Sequence, residues 1–178
     1  MGTPFFTIGH SNRSIDEFVG LLGEHRIEVL VDVRRLPGSE RFPQFDRDPL
    51  ASTLAEAGIG YRWAEGLAGR RRVSEVVPRD VNGWWQNRSF HNYADHALSD
   101  EFRSAFADLR RTGREHPTAV MCAEAVWWRC HRRVIADWLI AGGDEVIHIM
   151  APGRVEVARL TEGAVIRENH DVNYPAAK

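Results

Sequence analysis

The chain has 178 residues, 43% hydrophobic and 27% charged, with a formal net charge of −2. That length suits one domain able to bury a full core without staples, and no apolar run approaches the ~18 residues of a membrane span. The near-neutral balance gives no global field toward nucleic acid or anionic membrane. With Lys178 as the sole lysine, neither an internal Schiff-base lysine nor a phosphate-loop lysine is available.

The first ten residues lack the basic start and cleavage region of a signal peptide, which predicts cytoplasmic residence. Two cysteines in that setting read as reduced thiols, a metal pair or a redox pair rather than a structural disulfide.

Taken in chain order, residues 5–8 form a first apolar strand closed by Gly9-His10-Ser11. Ser14 and Glu17 have capping-box spacing, and Ile15, Phe18, Val19 and Leu22 make one apolar stripe, which predicts a helix. Residues 29–32 read as a second buried strand leading into Arg34 and Arg35. Pro37, Gly38, Pro43 and Pro49 then predict an extended loop over 36–49. Helical propensity returns over 50–57, Gly58 and Gly60 stop it, and 61–63 read as a third strand.

Residues 73–99 carry Trp84, Trp85, Phe90, Tyr93 and two histidines with no clean period, and are expected to act as a lid or an interface loop. Ser99 caps a helix with Phe102, Phe106 and Leu109 inward. A strand over 118–122 follows, then a helix over 130–141 with Ile135, Trp138 and Leu139 inward, ended by Gly142-Gly143. Residues 145–150 read as a strand, and 155–160 with 164–167 as a terminal hairpin. Alternating strands and helices predict a single three-layer α/β domain over 1–178 with a mainly parallel, Rossmann-like sheet.

Chemistry concentrates at strand ends. Cys122-Ala-Glu124 and Cys130-His131-Arg132 place two thiols, a carboxylate, an imidazole and a guanidinium around one strand-to-helix turn. A thiolate at Cys130 would be stabilised by the helix N-terminus and nearby arginines, with Cys122 as a resolving thiol. In the bland alternative, Cys122 is a small buried residue and Cys130 packs under the helix. A metal reading uses Cys122, Cys130, His131 and His10 as ligands for zinc or iron, though the spacing matches no zinc ribbon.

His10 and Ser11 sit where a βα turn approaches a ligand. Asp32 and Arg34 leave their strand together, the carboxylate orienting the guanidinium for an anion. Arg70, Arg71 and Arg72, with the aromatics of 84–93, are candidates for a phosphate-holding, base-stacking surface.

Several motifs together resemble the domain-of-unknown-function 488 family over roughly residues 5–150. They are Thr7-Ile-Gly-His-Ser11, Asp32-Val-Arg34 with Pro37 and Ser39, Phe42-Pro-Gln-Phe45, Gly66-Leu-Ala-Gly-Arg-Arg71, Phe90 with Tyr93-Ala94, Cys122-Ala-Glu124 and Cys130-His-Arg132. The chain departs from that pattern at Leu67-Ala68, where a second glycine is common, and at 125–128, where a proline often falls. The resemblance implies a compact α/β fold in an intracellular bacterial or archaeal protein, and no established reaction.

The residues thus predict a polar pocket at the carboxyl edge of the sheet. In the enzyme reading Cys130 is the nucleophile, His131 or Glu124 the acid–base group, Cys122 its partner thiol, and Arg34 and Arg132 the anion clamp. The substrate would be a phosphorylated compound, a nucleotide or nucleic acid. A zinc or iron protein, and a non-catalytic module binding nucleic acid or another partner, are the alternatives.

Overall fold

The computed structural model describes residues 2–38 and 40–177; Ser39, one of the residues carrying the resemblance, lies outside them. The central sheet has six strands: β1 (Phe5–Gly9), β2 (Val29–Asp32), β3 (Gly60–Trp63), β4 (Thr118–Cys122), β5 (Val146–Ala151) and β6 (Arg154–Val157). Their order is β3-β2-β4-β1-β5-β6, and all neighbours pair in parallel except the β5–β6 edge.

Alternation along the strands sends side chains to two cores. Phe6, Ile8, Leu30, Ala119 and Met121 face α1 (Ile15–Glu24) and α2 (Arg47–Glu56), whose Phe18, Leu21, Leu22, Leu50 and Leu54 complete that layer. Phe5, Val29, Val31, Val120 and Cys122 join the other core with α3 (Arg88–His96), α4 (Asp100–Glu115) and α5 (Arg132–Ala141). Burying each such leucine or phenylalanine stabilises the fold by roughly 1.5–3 kcal/mol. The result is the expected three-layer α/β sandwich.

Local signals account for the helix starts. The Ser14 hydroxyl accepts from Glu17 N–H and the Ser99 hydroxyl from Phe102 N–H, each satisfying an orphan donor of the first turn. Helix α2 begins three residues before the expected start, because Pro49 falls in its first turn, where a missing N–H costs nothing. The 73–99 segment contains α3, capped by Asn87, whose buried face includes His91, Asn92 and Asp95. A buried face this polar has no hydrophobic period to read.

The expected terminal hairpin does not form. Residues 154–157 instead turn back on β5 as the antiparallel edge strand, through a bend at Gly153 with φ 68°. Residues 165–166 pair with Val172–Asn173 in a separate two-stranded sheet. Pro152-Gly153 is the turn signal that decides this pairing. Among the described residues, no helix is long and apolar enough to cross a membrane.

The connections place the site. From β1 the chain passes over one face through α1 to β2, whereas β4 leads over the other face through α5 to β5. The connections leaving neighbouring strands β1 and β4 therefore part to opposite faces beyond their carboxyl ends, the point where open α/β sheets form a ligand crevice. Gly9 and Cys122 are register partners at that point.

Candidate functional site

A cleft of about 920 Å³ opens at the carboxyl ends of these strands. It is lined by His10 and Ser11 after β1, Arg34 and Arg35 after β2, Gly69 and Arg70 after β3, and Cys122, Glu124, Cys130 and His131 after β4. Arg41, Phe42, Phe90, Tyr93 and Arg129 complete its wall. The backbone of the β1 end is hydrogen-bonded to the β4 loop, His10 N–H to Cys122 O at 2.9 Å and Ser11 N–H to Ala123 O at 3.0 Å. Gly9 permits this approach, since a Cβ there would stand 1.9 Å from Glu124 O.

The two thiols are adjacent, Cys130 Sγ lying 2.7 Å from Cys122 Sγ, and both are free and buried. Arg132, itself buried, donates from Nε to Cys122 Sγ at 3.0 Å, from Nη1 to Thr7 Oγ1 at 2.9 Å and from Nη2 to Glu124 O at 2.6 Å. Its backbone N–H points at Cys130 Sγ at 3.4 Å, so that sulfur occupies the anion position at the N-terminus of α5.

Burial opposes ionisation of Cys130, but the Cys122 thiol donor and the Arg132 guanidinium and N–H outweigh it and bring the pKa down to about 7. Burial and the neighbouring Cys130 charge push Cys122 the other way. These opposite shifts make Cys130 the first of the pair to ionise and leave Cys122 the thiol that keeps its proton longer.

His131 is oriented from behind. Val33 O can only accept, so His131 Nε2 donates to it at 2.9 Å and Nδ1 presents a lone pair 3.5 Å from Cys130 Sγ. Burial and Arg132 hold its pKa below the ordinary value. Gly69 leaves room for the ring; a Cβ at 69 would lie 2.8 Å from Nδ1.

Arg34 is fixed by Asp32, which accepts from its backbone N–H, Nε and Nη2, the last at 2.8 Å. Tyr61 donates its hydroxyl to the same carboxylate. His10 donates Nδ1–H to Ser11 O, leaving Nε2 to accept from Arg34 Nη1 at 3.4 Å, and stacks on Phe45 with ring centres 4.4 Å apart. Burial depresses its pKa, helped by the Arg34 charge. Asp32 is fully buried behind Arg34 and holds the guanidinium rather than lining the cleft.

Five arginines line the cleft against one carboxylate, Glu124. Arg35, Arg41, Arg70 and Arg129 make no ion pair among the described residues. Ser11 and Arg70, both on the wall, hold left-handed backbone with φ of 47° and 57°, conformations that a non-glycine residue adopts at a cost.

The model of the domain of unknown function DUF488 matches residues 14–139, most of the chain. The chain belongs to this family. The match is narrower at both ends than the 5–150 expected, yet it contains both thiols, Arg34, Arg70 and His131. No curated protein and no solved structure matches the chain significantly.

Some residues singled out from the sequence fall elsewhere. Arg71 turns away from the cleft to bind Ala68 O, Glu65 O and the Glu101 carboxylate. Arg132 lies behind the sulfurs with its guanidinium bound inward, so it serves the thiols rather than closing on an anion from the cleft. The rings of 84–93 pack inward: Trp85 stacks on Phe90 at 4.5 Å and touches Tyr174, and Tyr93 is buried. Of these rings, Phe90 and Tyr93 reach the cleft wall.

The metal ligand set does not assemble either. Among the described residues, no three His, Cys, Asp or Glu are placed to hold an ion; His10 Nε2 faces Arg34 and His131 Nε2 faces Val33 O. Sequence reasoning missed Arg35, Arg41 and Arg129, whose neighbours Arg34, Phe42 and Cys130 were the available signal. It also missed Thr7, whose position one strand register from Ile8 puts it on the Cys122 face.

Proposed function

We propose that this protein is a thiol enzyme whose Cys130 attacks a small phosphorylated or nucleotide-like substrate. The observation that carries this reading is a cysteine of depressed pKa at a helix N-terminus, opening into a cleft where four of five arginines make no ion pair among the described residues. Uncompensated guanidinium charge favours an anion, and the planar fork suits phosphate oxygens. The volume of about 920 Å³ matches a single small molecule rather than a polymer groove.

In this mechanism Arg35, Arg70 and Arg129 draw in the anion and Arg34, immobilised by Asp32 and His10, sets its orientation. The Cys130 thiolate supplies the electron pair to the electrophilic centre. His131 Nδ1 takes the proton of any Cys130 that arrives as thiol and hands it to the departing group. Phe42 and Phe90 offer apolar wall for the uncharged part of the substrate.

Alkylation of Cys130 by iodoacetamide, followed by mass spectrometry, tests the reading with inorganic pyrophosphate and ADP as probes. Both are expected to slow Cys130 alkylation at least several-fold, less so as salt is raised, and the double variant Arg35→Ala/Arg70→Ala is expected to lose that protection. Alkylation indifferent to both probes, or protection unchanged in the variant, would overturn it.

A further inference from the structure

The two sulfurs do more than ionise in turn. Cys122 closes β4, pinned by its register with Gly9, and Cys130 ends a short 3-10 turn just before α5. Two rigid elements therefore bring the sulfurs to 2.7 Å, and forming a bond of about 2.05 Å needs a shift of under about 1 Å. Both line the cleft, so a small oxidant that enters it meets Cys130 first as thiolate.

We propose that Cys130 is a peroxide-oxidised site that Cys122 resolves into a reversible intrachain disulfide. The Cys130 thiolate attacks one oxygen of hydrogen peroxide; the O–O bond breaks, hydroxide leaves and takes a proton from solvent, and Cys130 becomes a sulfenic acid. Cys122 sulfur then attacks Cys130 sulfur, the S–O bond breaks, and the departing hydroxide takes the Cys122 proton as water. The sum is one peroxide and two thiols giving one disulfide and two waters, and a small thiol such as glutathione returns both cysteines by exchange.

Arg132 makes the disulfide easy to reduce. In the reduced pair this buried guanidinium, 1% exposed, donates to Cys122 Sγ and its charge is matched by the Cys130 thiolate beside it. Oxidation removes the thiolate charge and leaves the cation, among the described residues, with the neutral acceptors Thr7 Oγ1 and Glu124 O, an unpaired buried charge that favours the reduced form. A sensing or protective bond, not a structural one, follows. Resting on the proposed role of Cys130 as nucleophile, the same event also silences the cleft reversibly.

This inference needs no substrate and is tested without one. Reduced protein held without oxygen is given one equivalent of hydrogen peroxide with dimedone present, and its intact mass and free thiols are read. Wild type is expected to lose two hydrogens and both free thiols, to form no dimedone adduct, and to recover both thiols with excess glutathione. Cys122→Ser is expected to accumulate the dimedone adduct on Cys130. A wild type that stays reduced, that accumulates the adduct as Cys122→Ser does, or whose disulfide resists glutathione would overturn the proposal. Pyrophosphate protection, measured on reduced protein, stands or falls separately.

Discussion

At the residue scale the thiol pair depends on atoms that never touch the cleft. Thr7 Oγ1 accepts from Arg132 and lies 2.6 Å from His148 Nδ1, so its hydrogen goes to the imidazole. His148 is held neutral, its pKa pulled down to about 3 by burial and by the Arg132 charge, and its ring stacks on Trp127 at 4.6 Å. A row of buried groups thus runs from His148 through Thr7 and Arg132 to Cys122. The isosteric change Thr7→Val leaves one guanidinium donor and one imidazole acceptor without a partner in a fully buried position. It should lower stability by about 1–3 kcal/mol, read as a shifted urea midpoint; a shift equivalent to only a few tenths would show that water or a neighbour replaces the hydroxyl.

At the scale of elements, the site depends on how closely the end of β1 meets the loop after β4. Gly9→Ala would drive a methyl against Glu124 and Ala125 backbone, the nearest atom 1.9 Å away, and Glu124 O is an acceptor for Arg132. Loss of about 1–3 kcal/mol is expected, together with slower alkylation of Cys130 because Arg132 loses its anchor. Gly20, in α1, supplies the contrast: a Cβ there meets nothing within 4 Å, so Gly20→Ala should stabilise by up to about 1 kcal/mol. Urea unfolding of the two variants checks both signs, and an unaffected Gly9→Ala would mean the strand ends can part without harm.

At the scale of the whole molecule, most of the layered fold was legible because its apolar strands and capped helices obey simple periods. The strand order was not, since side-chain periodicity says nothing of which strand lies beside which. Helix α3 escaped because its buried face is polar: Asn82 donates to Asp95, and Tyr93 donates its hydroxyl to Leu67 O. The tail escaped because it is held by distant partners, with Tyr174 donating its hydroxyl to Asp137 and its N–H to Asn82. Cys122, Cys130, His131, His10 and Arg34 were found from their motifs, and the sheet does gather them. The burial that turns Arg132 and Asp32 inward, and that spends Trp85 and Tyr93 on the core, is a tertiary property no spacing conveys.

Both the attack on substrate and the oxidation need Cys130 as a thiolate near neutral pH. Because the thiolate is the reactive form, the rate of Cys130 alkylation by iodoacetamide should rise through a midpoint near pH 7 and level off above it. In Cys122→Ala, which loses the donor to that sulfur, the midpoint should move upward. A wild-type midpoint at about 8.5 or above, the range of an ordinary cysteine, would contradict the account.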